Sequence, residues 1–175
     1  MLNEFTDELA YNTVRIFCET KKGEFSTGTG FFFIFERNNN EALLLLITNK
    51  HVIKDTKKGK ISLTLSDNSG NPDLKNIIHL EFDNFEKLWI NHPDEHVDLC
   101  CLPFGQIIEK LRKEKKKNVF LKSINKKMLP SKEDTKFISN AENIIMVGYP
   151  NGLWDKVNNA PIFRTGTLAS NFRLN

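Results

Sequence analysis

The sequence predicts an all-β fold, an antiparallel barrel or sandwich. Three observations carry that expectation. Six short segments before residue 105 are apolar runs or alternate apolar with polar residues. Clusters of turn-forming residues separate them. The first clear helical pattern after the amino terminus comes only at Gly105, so no crossover helices lie between the segments to build a parallel sheet.

The elements follow in order. Phe5 to Ala10 has the pattern of a short helix, with Thr6 or Asp7 as its cap. In "TVRIFCE", Val14, Ile16 and Cys18 alternate with Thr13, Arg15 and Phe17. "GFFFIFE" and "ALLLLITN" are nearly continuous apolar runs, split by the polar turn "RNNNE". "KISLTLS" alternates cleanly, with Ile61, Leu63 and Leu65 expected to face inward. "NSGNPD" is a loop, "NIIHLEF" places Ile78, Leu80 and Phe82 on one face, and "VDLCCLPF" is the sixth strand. Gly105 to Lys117 then repeats Ile107, Ile108 and Leu111 at helical spacing among charges. A polar, irregular connector runs from Asn118 to Asn143, before the strand signal returns in "NIIMVGYP" and "PIFRTGTLAS".

Composition narrows the class. The chain has 175 residues, 39% of them hydrophobic and 27% charged, which reads as globular and large enough for a real core. No apolar run reaches the length of a membrane span, and the acidic start "MLNEFTDELAYN" lacks the features of a secretory signal. Cys18, Cys100 and Cys101 cannot all pair, so free thiols and a cytoplasmic location are expected. The net charge of +3 conceals nine Lys or Arg against one Glu between Lys110 and Lys127. The plain reading is a solvated helix face. Only Phe120 interleaves the cluster as a stacking residue, which argues against nucleic acid as a partner.

Two residues stand out chemically. His51 follows Thr48, Asn49 and Lys50 at the tip of the apolar strand, and Asp98 interrupts the apolar run "HVDLCCL". Imidazole is the usual acceptor of a proton from a hydroxyl nucleophile, and it needs a carboxylate to hold its tautomer. A carboxylate embedded in an apolar strand needs a donor in turn. Each residue therefore accounts for the other, and His51 and Asp98 are the candidate catalytic pair.

The surrounding motifs, "STGTGFFF", "LLLITNKHVI", "DLCCL", "IIMVGYP" and "RTGTLAS", resemble in order those of the trypsin-like, chymotrypsin-fold serine peptidases. The likeness is to the disulfide-free bacterial group. It implies a double β-barrel, the first complete and carrying His51 and Asp98 (residues 1–104), the second only begun (144–175). A basic connector with a short helix (105–143) would lie between. It implies hydrolysis of a protein or peptide by a His-Asp-Ser triad, with no cofactor. The Gly-Asn-Ser-Gly or Gly-Asp-Ser-Gly turn of that family is absent from the sequence, so the serine is expected beyond residue 175. Further chain or a partner would then cover the incomplete second barrel. The alternative is an inactive peptidase-fold module that binds a peptide or protein. Ser170 has no flanking glycines, and Cys100 and Cys101 follow the aspartate directly, so none of the three suits the nucleophile's place.

Other features point elsewhere more weakly. His92, Asp94, His96 and Asp98 include two histidines four apart, a ligand spacing on a helix, but Pro93 opposes a helix there and no metal set is completed. His79 is expected to face solvent, and Trp89 and Trp154 to pack or to line a groove. Gly28 and Gly30 lack a phosphate-binding frame and are expected to serve bends in a strand.

Overall fold

The computed structural model describes residues 5–36 and 41–170. The expected turn "RNNNE" falls outside them except for Glu41. Helix α1 (Phe5–Asn12) opens the chain, with Thr6 and Asp7 inside its first turn and not ahead of it as caps. Asn12 ends the helix buried, and its amide donates to the Phe32 carbonyl at 2.6 Å and to that of Lys122 at 3.3 Å.

The strands that follow are β1 (Thr13–Thr20), β2 (Phe25–Glu36), β3 (Ala42–Thr48), β4 (Thr56–Ser66), β5 (Pro72–Asp83), β6 (Ile90–Asn91) and β7 (Cys100–Pro103). Hydrogen bonding orders them β5-β4-β1-β2-β3-β7-β6, and every pair along that path is antiparallel. The two ends of the path, β5 and β6, are joined in the chain by one 3-10 turn, Phe85–Leu88. The protein is thus mostly β, as its sequence predicts. The one strand of this path that the sequence does not predict, β6, has only two residues and carries no period to read.

The alternating segments bury the expected sides. Val14, Ile16 and Cys18 from β1 are buried, as are Ile61, Leu63 and Leu65 from β4. All of these but Leu65 join Phe32, Leu46, Leu80, Phe85, Cys100, Leu102 and Phe104 in one core. Edge-to-face ring pairs fix part of it: Phe32 on Phe104 at 5.2 Å and Phe85 on Trp89 at 5.5 Å. Phe85 lies flat on a strand only because position 59 has no side chain; a Cβ there would stand 2.3 Å from the ring.

Strand β2 begins five residues before the apolar run, so "STGTG" belongs to the ladder. Its glycines make room for their neighbours. A Cβ at Gly28 would meet Val52 Cγ1 at 2.3 Å, and one at Gly30 would meet Leu46 Cδ1 at 2.9 Å.

Helix α2 (Lys50–Ile53) is a single turn after β3, and α3 (Gly105–Lys115) follows β7. Leu111 buries the inner face of α3, with Ile107 and Ile108 packed beside it. The helix ends at Lys116, whose backbone is left-handed at φ 51°. The expected irregular connector contains a further strand, β8 (Ile124–Asn125), which pairs parallel with β2. A second sheet is the ribbon of β9 (Asn143–Gly148) and β10 (Ile162–Thr167), antiparallel over six residue pairs. Tyr149 fastens it to the first sheet: its N–H donates to Thr29 Oγ1 at 2.9 Å and its buried ring ends 3.5 Å from the Thr13 carbonyl. Among the described residues no helix is long and apolar enough to cross a membrane.

Candidate active site

The site forms where β3 ends. Thr48 is buried, and its hydroxyl donates to the Thr29 carbonyl at 2.7 Å, pinning the strand end to β2. Asn49 then caps the single turn of α2 in extended conformation. Val52 fills the space left by Gly28, and buried Ile53 anchors the other end of the turn. Between those two anchors His51 stands out into solvent, its side chain 71% exposed.

Asp98 comes from the loop between β6 and β7. The apolar run that contains it does not become strand until Cys100, so Asp98 is not embedded as its sequence setting suggests. Its side chain is 48% exposed. The pairing with His51 is nonetheless made twice. His51 Nδ1 lies 2.5 Å from Asp98 Oδ2, and the His51 backbone N–H donates to Asp98 Oδ1 at 3.1 Å. Those bonds, the imidazole contact first, hold the Asp98 carboxyl below its usual range. An ionised carboxylate only accepts, so the shared proton sits on Nδ1 and leaves Nε2 as the basic nitrogen. That tautomer is what a general base at Nε2 requires.

Two neighbours of His51 complete the arrangement, and neither was singled out by the sequence pattern. Asn49 Nδ2 donates to the Asp98 carbonyl at 2.7 Å, and Lys50 Nζ donates to the Asp94 carbonyl at 3.0 Å. The only sequence signal is that three polar positions, Thr48 to Lys50, end the apolar run immediately before the histidine.

The other candidates separate from this pair. Cys100 donates weakly to the Thr48 carbonyl at 3.6 Å, close to the site, but burial pushes its thiol up to about 12. A thiol so far from ionisation is inert as a nucleophile. Cys101 is partly buried and shifted in the same direction for the same reason. Ser170 lies exposed beyond β10 and bonds to neither His51 nor Asp98.

His92 and His96 lie in turns of the Asp98 loop. His92 Nδ1 accepts the Asp94 N–H at 3.1 Å, and Asp94 Oδ1 accepts the His96 N–H at 2.9 Å, so both histidines serve turns of the loop. Among the described residues no group of three or more His, Cys, Asp or Glu is placed to hold a metal. His79 is exposed and shares a 2.8 Å hydrogen bond with Ser62 across β4 and β5. Trp89 is core, while Trp154 lies flat against the Arg15 guanidinium, 3.8 Å from its ring centre.

Compared with known proteins, the chain matches no family model and no curated protein. The chemistry therefore rests on the geometry of the site itself.

Proposed function

We propose that the protein is a trypsin-like serine endopeptidase or its amino-terminal part, with His51 as general base and Asp98 as its orienting carboxylate. The observation that carries this reading is the double hold of Asp98 on His51, through ring and backbone together. The ring bond sets the tautomer; the bond from the backbone N–H fixes the carboxylate that makes it. In the reaction, Nε2 takes the proton of an attacking serine hydroxyl and returns it to the leaving amine, while Asp98 stays ionised and stabilises the imidazolium. The serine would come from beyond residue 175, and a double-barrel architecture goes with that assignment. The first barrel would be the seven-strand path whose end strands meet through Phe85–Leu88. The ribbon β9–β10 would open the second. The working compartment would be the cytoplasm, in keeping with three free thiols.

The test is proteolysis of casein by the protein as expressed from its gene. His51→Ala should abolish it, and Asp98→Asn should lower it by about 10⁴ through the wrong tautomer, with the denaturation midpoint unchanged. Full activity in His51→Ala would overturn the mechanism. A second reading, an inactive peptidase-fold module that binds a peptide or protein, is favoured by one observation: no Gly-x-Ser-Gly turn occurs in these 175 residues. Absence of hydrolysis together with failure of any serine to react with a fluorophosphonate would select it.

A further inference from the structure

The loop that carries Asp98 is held in an unusual way. From Asn91 to Leu99 only Val97 is even partly buried, so packing does little to place it. Inside the loop, His92 N–H donates to the Leu99 carbonyl at 2.9 Å, Val97 N–H to Asp94 at 3.2 Å, and Leu99 N–H to Val97 at 2.9 Å. Those bonds shape it but tie it to nothing else. Among the described residues, every hydrogen bond from residues 92–99 to the rest of the fold is made by three consecutive residues, Asn49, Lys50 and His51.

We propose that Asn49 and Lys50 are positioning residues that clamp the Asp98 loop onto the histidine turn, a reading that rests on the role proposed for His51 and Asp98. The clamp has two points. Asn49 takes the carbonyl of Asp98 itself, so it fixes the backbone from which the carboxylate projects. Lys50 takes the carbonyl of Asp94, four residues earlier, at the start of the turn that accepts the Val97 and His96 N–H groups. Holding a loop at two separated carbonyls removes its rotation about either one. The His51 bonds then act on a carboxylate already in place, and the imidazole need not spend its own bonding to order an exposed loop. Asparagine and lysine suit the task because both acceptors are carbonyl oxygens, to which an amide or ammonium N–H can donate and a carboxylate cannot.

The experiment uses the protein as expressed from its gene and reads two signals that do not depend on turnover. The first is the low-field proton resonance of His51 Nδ1–H, identified by its loss in His51→Gln. The second is the exchange rate of the His51 backbone amide, which Asp98 Oδ1 protects. In the double variant Asn49→Asp/Lys50→Met the resonance should disappear into exchange and the amide should exchange at least tenfold faster, at an unchanged denaturation midpoint. Lys50→Arg, which retains a donor, should keep both signals. Where casein is cleaved, the double variant should lose kcat at least tenfold with KM within twofold. Both signals unchanged in the double variant would overturn the clamp, whatever the activity. Both signals lost in the variant of a protein that cleaves nothing would uphold the clamp and remove the peptidase reading instead.

Discussion

The two sheets use apolar residues in opposite ways. In the first, strand after strand turns one side inward, and Ile16, Cys18, Phe32, Leu46, Ile61, Phe85 and Phe104 have no measurable exposure. In the ribbon β9–β10, Ile145 is 56% exposed, Met146 54% and Phe163 40%. The sequences of the two regions are equally apolar, yet only one has a partner layer. A run such as "NIIMVG" specifies a strand to be covered on both sides, while a two-stranded ribbon has no second layer of its own to cover it. The contrast teaches that the candidate site is built on the well-packed region. His51 and Asp98 are positioned by β2, β3 and β7, and Tyr149 at the end of β9 touches that frame at Thr29.

That comparison can be broken or sharpened by measurement. The largest effect belongs to the first core: Phe85→Ala should cost about 3–5 kcal/mol in denaturant unfolding, because the ring fills the space over Gly59. Gly28→Ala comes next, at about 1–3 kcal/mol for the overpacking against Val52. The same change should speed exchange at the His51 amide, since Val52 belongs to the same turn. A pH effect follows. Burial pushes the thiols of Cys18 and Cys100 up to about 12, from an ordinary value near 9. The folded state then keeps protons that the unfolded state releases. This stability is complete below pH 9 and falls as pH rises toward 12, by about 1.4 kcal/mol per unit for each thiol. Cys18→Ala should flatten the alkaline slope of the unfolding free energy. The carboxylate runs the other way. Asp98 is depressed by His51, so its contribution is present above the ordinary aspartate range and lost as pH falls through the lower folded value. Asp98→Asn should remove that acid-side slope. Smallest of all, Ile145→Ser and Val157→Ser should change stability by no more than about 0.5 kcal/mol. A ribbon substitution costing as much as Phe85→Ala would show that the two regions share one core.

Much of the first sheet was legible because period-2 alternation and burial have the same cause. "TVRIFCE" and "KISLTLS" declare their inward sides before any coordinates exist. The His51–Asp98 pairing was legible for a related reason: an imidazole at the tip of an apolar run and a carboxylate inside one each call for a polar partner. The setting of Asp98 was not. Val97 to Phe104 reads as one strand, but pairing with β3 begins at Cys100, and hydropathy does not report where a ladder starts. The packing reason for the glycines was not legible either. Composition shows that position 28 lacks a side chain; only the approach of Val52 from α2 shows why. Asn49 and Lys50 escaped notice because a polar residue that bonds a distant carbonyl leaves no periodic trace.

The placement of the clamp on three adjacent residues has a consequence for motion. Asn49, Lys50 and His51 share one turn of backbone, so a shift of α2 carries the Asp98 loop with it. His51 and Asp98 can then travel together against the rest of the sheet while their mutual geometry stays constant. Misalignment would have to arise between this unit and whatever faces it.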